Sequence, residues 1–347
     1  MSELQQRVFA AMEKPGSYPH EARRPIRAKE THISKVFLTG KFAYKLKKEL
    51  QWSMVDYTTL DKRKGFCEKE LALNLPLCKG MYLGVVPIVI DAKDRVVVLD
   101  EKQAKEQARK PKKFGEVIEY ALKMVEFPQE TMLSAKLKRG DRDANEALFK
   151  AIAKKLAQFH HSQPGGKGIA ERASAEKVTE RWNNDFRVAG QNRRLNQQYV
   201  SRVHHFIESN RALFDQRARQ GRARDCHGDV HTGNIFVPKK GQFYIFDRIE
   251  FDDSLRWGDC ARDAAFMAMD LDHSKRPDLR EAFVKEYARA AGDKSVGEIL
   301  PFYQSYYAFV RGFVNDLRAA QETDRTAAVK ARKVADAYFR LAESYEF

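Results

Sequence analysis

Two short apolar-rich runs near the start, residues 35–38 (KVFL) and 42–46 (FAYKL), are separated only by Thr39-Gly40-Lys41, and this spacing predicts a β-hairpin. In the second run the alternation of Phe42, Tyr44 and Leu46 sets Lys45 on the opposite face of the strand. A helix is predicted over 61–75, with Phe66, Leu71, Leu73 and Leu75 supplying apolar faces and Pro76 ending it. Residues 83–90, 95–99 and 115–126 read as further strands, and Phe127-Pro128 breaks the last of them.

Beyond Pro128 the period changes from two to that of long amphipathic helices. Residues 145–161 (NEALFKAIAKKLAQFHH) are the clearest case, ending just before Pro164-Gly165-Gly166. The only strong β signal in the later half is the pair 235–238 and 243–246, flanking a Lys239-Lys240-Gly241-Gln242 turn. From about Asp259 onward the pattern is helical again. The chain therefore divides into a β-rich lobe, 1–126, and a mostly helical lobe, 127–347, with no internal repeat.

Composition sets limits on this picture. With 347 residues, 43% hydrophobic and 32% charged, the chain has material for a large core, which excludes a disordered or low-complexity protein. Lys and Arg number 63 against 48 Asp and Glu, a net charge of +15 that favours anionic partners over a strongly cationic substrate. The excess is densest in 102–113, 187–202 and 217–224, stretches that read as solvated faces or as a footprint for an anionic substrate. Cys67, Cys78, Cys226 and Cys260 form no CxxC pair and read as structural thiols of a reducing compartment. The N-terminus lacks the apolar core of a signal peptide and no run is long enough to span a membrane, so a soluble, cytoplasmic protein with no membrane partner is expected. The patterns fix no oligomeric state.

The segment carrying most chemistry is Cys226-His227-Gly228-Asp229-Val230-His231-Thr232-Gly233-Asn234. Asn234 stands just before the first strand of the later hairpin and Asp247 just after the second, and antiparallel pairing brings such ends together. An amide oxygen and a carboxylate then converge on a point that Asp229 overlooks, a hard-oxygen set suited to Mg²⁺. Metal ligands on a hairpin with a carboxylate base on the preceding loop are the parts of a phosphoryl-transfer site. His160-His161 and His204-His205 are adjacent on predicted helices and do not share a face, which argues against joint metal ligation. The aromatic run Phe302, Tyr303, Tyr306, Tyr307, Phe309 and Phe313 reads as core packing or, with Arg311, as a substrate-pocket wall. Asp259 and Asp263, four residues apart, are expected to buttress the catalytic loop.

HGDxHxxN followed by a hairpin and an aspartate resembles the catalytic and metal-binding loops of the aminoglycoside phosphotransferase-type kinases. That resemblance implies an α+β, bilobal protein-kinase-like fold with a β-rich N-terminal lobe, and a Mg²⁺/ATP-dependent transferase. It gives Asp229 the role of accepting or orienting the proton of the attacking hydroxyl and assigns Mg²⁺ to Asn234 and Asp247. Phe42-Ala43-Tyr44-Lys45 resembles the strand whose lysine grips the nucleotide phosphates. Glu70, preferred over Glu68, is placed where the family pairs a glutamate with that lysine. Glu126 and Phe127 fall where the family hinge contacts adenine, and Thr31-His32-Ile33-Ser34 takes the position of the phosphate-covering loop. His227 is expected to order the loop backbone, His231 either to approach the phosphates or to pack, and Glu250 either to join the metal shell or to form a salt bridge. The chain has no GxGxxG loop and no GxxxxGK[ST], and DRIE replaces the DFG of protein kinases, so a small-molecule hydroxyl acceptor is favoured over a protein. Its net positive charge disfavours a polycationic aminoglycoside. The alternative is a kinase-fold module that binds nucleic acid or protein and uses nucleotide as a switch.

Overall fold

In a computed structural model, residues 1–52 and 55–347 are described. The strands in chain order are β1 (Arg27–Glu30), β2 (Ser34–Leu38), β3 (Phe42–Lys47), β4 (Gln51–Trp52), β5 (Val55–Asp56), β6 (Tyr82–Ile90), β7 (Val96–Val98), β8 (Glu116–Val125), β9 (Ala223–Asp225), β10 (Ile235–Lys239), β11 (Gln242–Ile245) and β12 (Trp257–Asp259). The helices are α1 (Glu3–Met12), α2 (Leu60–Asn74), α3 (Glu101–Arg109), α4 (Leu133–Arg139), α5 (Glu146–Ser162), α6 (Lys167–Glu171), α7 (Ala175–Gly190), α8 (Gln197–Ser209), α9 (Arg211–Arg219), α10 (Asp253–Arg256), α11 (Ala261–His273), α12 (Pro277–Ala291), α13 (Val296–Gln321) and α14 (Arg325–Ser344). They fall into two compact units, Met1–Met132 with Ile235–Asp252, and Leu133–Asn234 with Asp253–Phe347.

The first unit is built on an antiparallel sheet of order β1-β2-β3-β8-β6-β7. Period-two alternation gives it two different faces. Phe37, Tyr44, Leu46, Ile88 and Ala121 pack with Val8, Phe9 and Met12 of α1. Ala43, Leu122 and Met124 on the other face pack with Cys67 of α2 and Phe236 of the β10–β11 hairpin. Lys45 and Lys47 alternate with Tyr44 and Leu46 and so point to the α2 side. The buried stripe of α2 is Arg63, Cys67, Glu70 and Asn74, a helical spacing that is mostly polar. Of the apolar residues expected to give this helix its faces, Leu71 packs against the cluster around Cys67 and Phe66 meets Tyr57, whereas Leu75 is exposed just past the helix end. Arg63 earns its interior position by an ion pair with Glu119 on β8, Nε to Oε2 2.8 Å.

α1 and α3 were not foreseen as helices. Each begins with a side-chain cap: Ser2 for α1, and for α3 the reciprocal Asp100–Gln103 capping box, which starts the helix across the lysine-rich stretch.

The second unit is helical, with the short antiparallel β9–β12 pair leading into the 226–234 loop. α11 is buried on nearly every side from Ala261 to Met269, as expected of a central helix. Trp182 of α7 packs against Phe302, Tyr306 and Phe309 of α13. Most of the C-terminal aromatic run is thus core. No helix among the described residues is long and apolar enough to cross a membrane.

Candidate active site

In the first unit, β3, α2 and the end of the hairpin deliver charged groups to one place. Lys45 Nζ lies 2.8 Å from Glu70 Oε1 and 2.8 Å from Asp247 Oδ1. Burial works against charge on this lysine, but Asp247, Glu70 and Glu250 outweigh it and hold the amine protonated well above its ordinary range. Glu70 is fully buried, whereas Glu68 is exposed and faces Lys64 on its own helix. Lys47, on the same strand face, takes the other oxygen of Glu70 at 2.5 Å and also pairs with Glu250. Glu250 is therefore in an ion pair, which Tyr57 supports with a hydroxyl 3.4 Å away.

Asp247 sits at φ +64°, a left-handed conformation that aspartate tolerates better than most residues. Its amide donates to Tyr82 Oη at 3.3 Å, and the next amide, of Arg248, donates to Asn74 Oδ1 at 2.9 Å. These bonds fix the hairpin exit against β6 and α2. Ile235 pairs with Ile245, so Asn234 precedes the paired stretch by one residue and Asp247 follows it by two.

Glu126 and Phe127 follow β8. The Glu126 carboxylate accepts from the Gly40 amide at 2.6 Å and pairs with Arg27, clasping the β2–β3 turn. The Phe127 ring stacks on Tyr244 and tilts against Phe236. Ser34 opens β2 opposite Lys47, fully buried, with its amide donating to Thr31 Oγ1 at 3.0 Å. The exposed members of that loop are Thr31 and His32.

In the second unit the 226–234 loop is held from beneath. Asp263 of α11 accepts from the amides of His227 (2.7 Å) and Gly228 (2.9 Å) and faces His160 Nε2 at 2.9 Å. Burial alone would raise the Asp263 carboxyl, but the bond to His160 and the neighbouring imidazole charges pull it down to about 2. Gly228 turns the chain at φ +88°, and the Asp229 amide then donates to His227 Nδ1 at 3.2 Å. Asp270 steadies the far end by accepting from the amide and hydroxyl of Thr232. The expectation that Asp263 buttresses this loop holds. Asp259 instead lies on β12 and binds Arg217.

Asn234 Nδ2 donates to Asp229 Oδ2 at 2.8 Å and to the Asp229 carbonyl at 3.0 Å. That orientation turns the amide oxygen away from Asp229. His231 Nε2 is 3.6 Å from Asp229 Oδ2. Burial would raise the Asp229 carboxyl, but His231, with Arg311 and His227 behind it, holds it below its ordinary range. His231 packs on Phe266. Arg311, on α13, is half-buried near Asp229 and lies over the Tyr338 ring at 5.6 Å.

Sequence reading did not find the clustering of His160, Cys226 and Cys260, whose potential ligand atoms lie within 4.8 Å of one another. Their separation along the chain gives no spacing signal. Both ring nitrogens of His160 are engaged, by Asp263 and by Tyr287 Oη at 2.9 Å. The role of Lys47 was also missed; its only signal is its place two residues after Lys45.

Residues 115–299 match the APH family, described as a phosphotransferase enzyme family, and the chain belongs to it. The uncharacterized protein Rv2004c of Mycobacterium tuberculosis is 28% identical over 316 residues, 88% of this chain and 58% of that protein; Mb2027c of Mycobacterium bovis gives the same figures. The chain thus spans 58% of the length of these curated relatives. Among solved structures, a choline/ethanolamine kinase family protein from Mesorhizobium loti aligns over 98% of each chain at 12% identity and TM-score 0.52. Spectinomycin phosphotransferase APH(9)-Ia, in complex with ADP and spectinomycin, aligns over 98% of each chain at 15% identity and TM-score 0.50. The fold is therefore kinase-like, as the sequence resemblance implied.

Proposed function

We propose that the chain transfers the γ-phosphoryl group of ATP to a hydroxyl of a neutral or anionic small molecule. The observation that carries this reading is the placement of Lys45 Nζ at 2.8 Å from both Glu70 and Asp247, residues far apart in sequence. A protonated lysine held this way is a fixed positive charge for phosphate oxygens, and phosphoryl transfer needs chiefly positioning and charge neutralisation. Thr31 and His32 would cover the phosphates from the exposed part of their loop, and Phe127 would offer an apolar ring to the base.

In this reading Mg²⁺ would take hard oxygen ligands, which the half-exposed Asp247 carboxylate of the first unit and the Asn234 amide of the second each offer. When bound, the ion would neutralise charge on the phosphates. Asp229 would accept the proton of the attacking hydroxyl as the new P–O bond forms and the bond to the leaving diphosphate breaks. Its depressed pKa keeps it ionised at neutral pH, and the Asn234 bond orients it. Arg311 beside Asp229 favours an acceptor without positive charge.

Asp229→Ala is expected to reduce transfer from labelled ATP by about 10²-fold or more while leaving nucleotide affinity within a few-fold. Equal turnover by this variant and the parent would reject the assignment.

A further inference from the structure

We propose that the second unit contains a buried binding site for a monatomic anion of the halide class, between α7, α11 and α13. Arg172, Val178, Arg181, Trp182, Arg262, Tyr303 and Tyr306 line a cavity there. Among the described residues, four buried polar atoms of these side chains have no hydrogen-bond partner: Arg181 Nη1, Trp182 Nε1, Arg262 Nε and Tyr303 Oη. Trp182, Arg262 and Tyr303 are respectively 1%, 7% and 3% exposed, so bulk water does not satisfy them. The three nitrogens can only donate, and they cannot satisfy one another. Buried polar groups are almost always paired, so a cluster of donors calls for an acceptor at its centre.

Charge and size narrow that acceptor. Arg181 Nη2 donates to the Ser254 carbonyl at 2.8 Å, and Arg262 donates to the carbonyls of Trp257 and Leu255 at 3.1 Å each. These bonds satisfy N–H groups without cancelling either positive charge. The nearby carboxyl, Asp185, accepts from Tyr306 Oη at 2.9 Å, and a single carboxylate does not balance two guanidinium groups. The cavity is small but admits a water-sized sphere, whose centre has ≈ 10 Å³ to move in. A water offers two lone pairs, whereas a halide can accept from more donors at once and balances charge as well.

The site would bind α7 and α13 to the segment around Ser254–Trp257, whose last residue begins β12. β12 pairs with β9, and β9 runs directly into His227–Asp229. The proposal does not depend on the catalytic reading.

The test uses the full chain in sodium isethionate, titrated with sodium chloride or bromide at constant ionic strength. Tm should rise saturably by roughly 2–4 °C, and Tyr303→Phe should reduce that response several-fold. Crystals grown in bromide should show one anomalous peak among Arg181, Trp182, Arg262 and Tyr303. A Tm independent of which anion is present, or a bromide crystal holding only water at that position, would overturn the proposal. The crystal result decides the question even if Tyr303→Phe fails to fold.

Discussion

Glu70 gives one carboxylate oxygen to each of two lysines, and the two have different consequences when removed. Lys45→Met leaves Glu70 paired with Lys47 and frees the half-exposed Asp247. Turnover should be lost, with only a small shift in the urea midpoint. Glu70→Ala strips a partner from both buried ammonium groups, and removal of one partner from a buried pair costs about 3–5 kcal/mol. Its urea midpoint should fall far below that of Lys45→Met. The Lys45–Glu70 pairing was legible because strand alternation fixes the face of Lys45 and helix phase admits only one of Glu68 and Glu70. Lys47 was not, because its value depends on Glu250, 203 residues away. The polar stripe of α2 was hidden for the same reason: Arg63 and Glu70 are stable inside only because distant partners meet them.

At the level of elements, the loop carrying Asp229 hangs from two carboxylates of α11, Asp263 at its start and Asp270 at its far end. Asp263 is held down at about 2 against an ordinary value of 3.8, so its contribution is complete above 3.8 and vanishes as pH falls through about 2. The stability gap between wild type and Asp263→Asn, measured by urea denaturation across a pH series, should be constant at neutral pH and close between pH 3.8 and 2. A gap that persists unchanged at the acid end would show that the carboxylate's charge is not what holds the loop. The β10–β11 hairpin, α5 and the β2–β3 pair were readable from local period and turn residues. The start of α3 was written equally locally, in Asp100 and Gln103, but the dense lysines around it read first as a charge run.

Across the whole molecule, the +15 charge is less of an outward footprint than its sequence distribution suggests. Within 217–224, Arg217 is fully buried, bridging Asp259 and Asp293, and Arg222 donates to the carbonyls of Ala291 and Gly292. Arg193 likewise ties Asp316 of α13 to Asp336 of α14. Arg217→Ala should destabilise by about 3–5 kcal/mol by stranding two carboxylates, while Arg187→Ala, at an exposed position, should stay within about 0.5 kcal/mol. Comparable denaturation midpoints for the two variants would restore the simpler picture of a solvated basic belt.

The second lysine on β3 has one more implication. Kinases that are switched on and off commonly do so by swinging the glutamate-bearing helix away from the phosphate-gripping lysine. Here that helix is riveted: any outward swing of α2 would strand Lys47 beside Glu250 with half its counter-charge gone. The same lysine thus ties the position of α2 to the segment that follows the β10–β11 hairpin, through Glu70 on one side and Glu250 on the other.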